Sequence, residues 1–133
     1  MKKYILLLLS ITAIGLSSCK KETILPLSNA TILKYIAPGD WVLSADNRTL
    51  SVDIPVNEIN KATFDNDEVA ASISRLNNDL YDKMPFVDNG QSYSYTYEPG
   101  FITVYLQNSG NQNTPVRPVA TARLKIVLIT SSL

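Results

Sequence analysis

The chain has 133 residues, twelve basic and twelve acidic side chains, no histidine and a single cysteine, Cys19. Without histidine there is no Ser-His-Asp triad, no Cys-His dyad and no His-ligated zinc site, and one cysteine allows neither an intramolecular disulfide nor a Cys-rich metal centre. Charge is balanced and no basic stripe is visible, so nucleic acid is not expected as a partner.

Met1-Lys2-Lys3 forms a short positive n-region. Tyr4 to Leu16 is apolar apart from Ser10, Thr12 and Gly15. That length is short for a transmembrane helix and suits a secretory h-region. Leu16-Ser17-Ser18-Cys19 resembles the lipobox of bacterial lipoproteins at all four positions. The resemblance implies cleavage between Ser18 and Cys19 and a thioether-linked diacylglycerol on the Cys19 thiol. Several acyl chains, at about 0.8 kcal/mol per buried CH₂, make a stable membrane anchor. Removing residues 1–18 leaves 133 − 18 = 115, with ten basic and twelve acidic groups and a net charge of −2. That suits one small domain. Lys20-Lys21-Glu22 follows the cysteine. No aspartate stands there, so the enteric inner-membrane retention signal is missing and the resemblance implies the outer membrane. Which leaflet is used stays open.

Residues 19–37 read as the lipidated N-terminus and tether, with Thr31 to Ile36 either a first strand or spacer. The folded domain is expected over residues 38–133. Pro38-Gly39-Asp40 is a turn, and Trp41-Val42-Leu43 begins a strand. Asp46-Asn47-Arg48 is a second turn, and Leu50 to Ile54 returns as the other arm of a hairpin. Val56 to Phe64 places Val56, Ile59 and Thr63 on one helical stripe, with Asn57 as cap and Asp65-Asn66-Asp67 as stop. Glu68 to Arg75 alternates, with Val69, Ala71 and Ile73 on one face. Leu76 to Gly90 reads as a polar connection pinned by Met84-Pro85-Phe86-Val87.

Gln91 to Gln107 carries the plainest pattern. Tyr93, Tyr95 and Tyr97 alternate with Ser92, Ser94 and Thr96, and Ile102, Val104 and Leu106 alternate beyond Glu98-Pro99-Gly100-Phe101. Pro and Gly stand where a type II turn needs them. Pairing Tyr97 with Ile102 gives one dry face; pairing it with Phe101 mixes both, so the first register is preferred. Asn108 to Ala120 is a loop. Thr121 to Thr130 is the last strand, with Arg123 and Lys125 on one face and Leu124, Ile126 and Leu128 on the other. Its stretch Ile126 to Ile129 reads as covered from both sides. The fold class is therefore mainly β: a small antiparallel β-sandwich-like domain with one short helix. An open sheet with the helix packed on it is the alternative.

Together these segments resemble a family of small uncharacterised lipoproteins of the Bacteroidota. The resemblance is carried by Trp41, Val56 to Phe64, Asp65-Asn66, Met84-Pro85, Tyr93 to Gly100 and Arg123 to Ile129, with Asp67 standing where a glycine is more usual. It implies no activity, cofactor or catalytic residue.

Trp41, Tyr93, Tyr95 and Tyr97 form the candidate ligand platform, because aromatic faces stack on pyranose rings. The preferred register favours core packing for them instead. Asp65, Asp67 and Glu68 lack the spacing and central glycine of an EF-hand, so a solvated helix-end turn is expected rather than a Ca²⁺ site. Pairs such as Asp79 with Asp82, or Glu58 with Asp53, are the acid and base of the alternative reading, a carboxylate-dependent glycan hydrolase, whose chemistry depends on a separation the sequence does not set. Pro115-Val116-Arg117-Pro118 is read as a stiff loop, and Asn29 and Asn47 as sequons outside a glycosylating setting. The expected protein is non-enzymatic and without cofactor. Its partners are the membrane, through the lipid on Cys19, and a protein or glycan.

Overall fold

The computed structural model describes residues 29–131. The expected signal segment, Cys19 and the tether up to residue 28 lie outside that range. The elements in chain order are β1 (Ala30–Ile36), a 3-10 turn (Pro38–Asp40), β2 (Val42–Leu43), β3 (Thr49–Pro55), α1 (Lys61–Asn66) and β4 (Glu68–Ser74). β5 (Asp82–Lys83), β6 (Phe86–Asp88), β7 (Gln91–Glu98), β8 (Phe101–Asn108) and β9 (Ala122–Ile129) complete the fold.

All strand pairs are antiparallel, in two sheets ordered β1-β9-β4-β5 and β2-β3-β8-β7-β6. Alternation decides what each strand buries. Ala122, Leu124, Ile126 and Leu128 point inward from β9, and Val69, Ala71 and Ile73 from β4. Leu50, Val52 and Ile54 of β3 and Ile102, Val104 and Leu106 of β8 face them in the same core. Each fully buried Leu, Ile or Val of this kind is worth about 1.5–3 kcal/mol relative to exposure. One shared core between two sheets is the sandwich, not the open sheet.

β1 pairs with β9 along its whole length, from Ala30↔Leu128 to Ile36↔Ala122. Of the two readings of this stretch, strand and spacer, the strand is the one formed, and the folded body therefore includes residues ahead of 38. The hydrophobic alternation of Ile32 and Ile36, both packed on the core, supplies the reason.

Three local expectations change. The helix is α1, later and shorter than Val56 to Phe64, and its cap is Asn60, whose Oδ1 accepts from the Thr63 N–H at 2.9 Å. Val56 and Ile59 are fully buried, but in a turn ahead of it. There the Val56 N–H donates to Gly100 O and the Gly100 N–H donates to Ile59 O. Those bonds to the β7–β8 turn hold this backbone away from a helical ladder. Next, the connection between Leu76 and Gly90 contains β5 and β6, with a cis peptide bond at Met84–Pro85. Asn89 and Gly90 both have positive φ, 50° and 73°, as a type I′ hairpin between β6 and β7 requires. Finally, β9 is buried on one face only, since Val127 is half-buried and Ile129 exposed. Its outer side chains are Arg123 and Lys125 at the start and Val127 and Ile129 at the end.

Candidate functional site

The β7–β8 hairpin has the preferred register: Tyr97↔Ile102, Tyr95↔Val104 and Tyr93↔Leu106. Gly100 has φ +89°, as the third residue of a type II turn does. The tyrosines thus share the inward face, but they do not share one environment. Tyr93 is buried, while Tyr95 and Tyr97 are half-buried.

Trp41 and Tyr93 belong to the core. Trp41 is buried just ahead of β2, which covers only Val42 and Leu43, so the strand expected from Trp41 starts one residue later. Its ring meets Tyr93 edge-on, with centroids 6.5 Å apart. Tyr93 stacks on Phe86 at 5.0 Å. Burial raises the Tyr93 phenol above its ordinary pKa. Neither ring is available to a ligand, and core packing accounts for both.

Tyr95 and Tyr97 lead outward. With Phe64, Pro85 and Thr96 they line an open groove of about 440 Å³. Phe64, from α1, is 40% exposed and meets Tyr97 edge-on at 5.9 Å. The groove follows the seam beside β4, where β5 pairs only with Ser72 and Ile73. The Tyr95 hydroxyl donates to Val69 O at 2.7 Å and so satisfies a carbonyl on that uncovered edge. Burial raises the Tyr95 pKa as well. The four-residue platform therefore divides into two buried rings and two at a groove. Phe64 and Pro85 join it through the tertiary fold, with no signal in the local sequence.

A second recess, about 260 Å³, is lined by Arg75, Leu76, Asn78, Leu80, Asp82 and Asp88. Arg75 reaches Asp82 at 3.0 Å and Asp88 at 2.8 Å. Its guanidinium also lies 5.1 Å from the Phe86 centroid and 5.6 Å from that of Tyr93. Burial lowers the Arg75 pKa, but the hydrogen bonds to Asp88 and Asp82 outweigh it and the net shift is upward. The cation is committed to this contact, which joins β5 of one sheet to β6 of the other.

The remaining candidates are dispersed. Asp65 pairs with Lys61 at 2.8 Å, and Asp67 accepts from the Ser131 N–H. No group of three His, Cys, Asp or Glu side chains able to hold a metal occurs among the described residues. Asp53 accepts from the Thr103 hydroxyl at 2.8 Å, and Asp82 is taken by Arg75. The Pro115 to Pro118 loop is pinned where Arg117 donates to Pro38 O and Trp41 O. Asn29 Oδ1 accepts from the Thr130 N–H, and Asn47 occupies a positive-φ turn position. No family model, curated protein or solved structure matches the chain.

Proposed function

We propose that the protein is a lipid-anchored envelope module of the outer membrane that binds or supports rather than catalyses. The observation that carries this reading is the run from Met1 to Cys19: a basic start, an apolar stretch and a box ending in the only thiol of the chain. The Bacteroidota lipoprotein family it resembles is the setting we infer. No helix of the described residues is long and apolar enough to cross a membrane. Attachment in this reading is through the acylated cysteine. The lack of histidine in the whole sequence and the commitment of Asp82 and Asp88 to Arg75 weigh against an active site.

The test is Cys19→Ser expressed in the native host. The wild-type chain is expected to label with palmitate and to enter the detergent phase on phase separation. The variant should do neither. Equal palmitate labelling of the two would defeat the reading.

A glycan is the second reading of the partner. The groove beside Tyr97 favours it, because the 40% exposed Phe64 ring stands there edge-on to Tyr97. Titration with neutral oligosaccharides should then give binding that Tyr97→Ala removes.

A further inference from the structure

The outer face of the β1-β9-β4-β5 sheet gathers cations in register. Directly opposed residues of antiparallel strands point to the same side. One row across the sheet is Leu33–Lys125–Ser72–Lys83, and the next begins Tyr35–Arg123–Ser74. Lys125 and Lys83 flank the small Ser72 and so stand roughly 10 Å apart, two strand spacings. None of Lys83, Arg123 and Lys125 has an ion-pair partner among the described residues. The one carboxylate in the outward-facing paired rows is Glu68, beside Ile129 at the far end; Asp82 pairs with Ile73 in an inward row and is held by Arg75.

The cations are held rather than loose. Lys125 Nζ lies 4.2 Å from the Tyr81 ring centroid, and the Arg123 guanidinium 5.1 Å from it. Arg123 also donates to Asn78 O at 2.6 Å. Beside them Leu33 and Tyr35 are 49% and 59% exposed. Cations set among an aliphatic and two tyrosine side chains suit the headgroup layer of a bilayer, where amphipathic rings and lysines settle.

The chain ahead of the fold enters this same sheet. Ten residues separate Cys19 from Ala30, the first residue of β1. They span at most about 35 Å, so an anchor at Cys19 keeps this face within reach of the lipid. We propose that the face formed by Leu33, Tyr35, Lys83, Arg123 and Lys125 docks on the anionic lipid surface to which the protein is tethered. The proposal rests on the anchor reading for proximity, and on unpaired positive charge for its preference. Each cation beside an anionic leaflet favours docking roughly fivefold, so three allow about a hundredfold.

The experiment uses the native lipidated chain in phosphatidylcholine vesicles, with or without roughly one-third phosphatidylglycerol. A water-soluble acylating reagent is applied, and modification is read by mass spectrometry. Lys61, on α1, is the internal reference. Acylation of Lys83 and Lys125 relative to Lys61 should fall about tenfold in the anionic vesicles and recover at about 0.5 M salt, where screening is short-ranged. Equal relative rates in the two lipids would overturn the proposal. Flotation separates this outcome from failure of the anchor. A chain that does not float with neutral vesicles is unanchored, and its flotation with anionic vesicles then reads the face alone. Flotation that is lost in the Lys83→Glu, Lys125→Glu variant upholds the docking face. No flotation of the unanchored chain with either lipid defeats it.

Discussion

Arg75→Met should lower the melting temperature substantially, because this side chain ties the two sheets at their common margin. Arg75 follows β4; Asp82 opens β5 in the same sheet, and Asp88 closes β6 in the other. The side chains of Arg75 and Asp82 are each 29% exposed and that of Asp88 is 46% exposed. Charged hydrogen bonds give about 1.5–3 kcal/mol when well buried, but solvent screening at this exposure brings each pair toward about 0.5–1 kcal/mol. Contact with the Phe86 and Tyr93 rings adds about 0.5–1 kcal/mol. Methionine keeps the apolar stem and loses all of these, so the expected cost is about 2 kcal/mol. For a domain of roughly 100 residues that is a fall of about 8–16 °C by circular dichroism. Lysine cannot span both carboxylates, so Arg75→Lys should recover less than half of the loss. A double-mutant cycle of Arg75→Met with Asp88→Asn should show coupling of about 0.5–1 kcal/mol. Melting of Arg75→Met within about 2 °C of wild type, or full rescue by lysine, would refute the argument.

Tyr95→Phe removes the bond to Val69 O and should cost about 1 kcal/mol, read as a drop of roughly 4–8 °C. Gly90→Ala should cost about 1 kcal/mol, measured by urea unfolding. At φ +73° an added Cβ meets nothing within 4 Å, so the cost is conformational and not steric crowding. Alkaline unfolding should also be visible. The folded pKa values of Tyr93 and Tyr95 are raised by burial above the ordinary 10.0. Their contribution is therefore complete below pH 10, the ordinary tyrosine value, and is lost as pH climbs through the raised values. Ultraviolet titration should show these two phenols ionising above the ordinary tyrosine value.

Local pattern carried the hairpin and misled on the helix for identifiable reasons. From Tyr93 to Tyr97 and from Ile102 to Leu106 the alternation is unbroken, and Pro99-Gly100 fixes the turn between them, so the register followed from one dry face. Val56 and Ile59 have helical spacing because both enter the core, yet their backbone is bonded to the Gly100 turn. Tertiary bonds decided there what periodicity could not. β5 and β6 have only two and three residues, too few for a periodic signal. Asn89-Gly90 nevertheless announces the β6–β7 hairpin and was the available cue. The groove was legible only in Tyr95 and Tyr97. Phe64 and Pro85 reach it from elements whose placement no local pattern encodes. The cationic rows were half visible as Arg123 and Lys125 on one strand. Lys83 and Leu33 join them through pairings that cross the sheet.

The placement of β1 at the sheet margin has a mechanical side. A pull arriving through residue 29 enters the fold at Ala30 and runs along a strand whose seven residues are all matched to β9. Traction along that axis loads the rungs in parallel, as in a lap joint, instead of parting them one after another. A body dragged by flow or by a bound partner would resist detachment from its own leading segment with the strength of the whole seam.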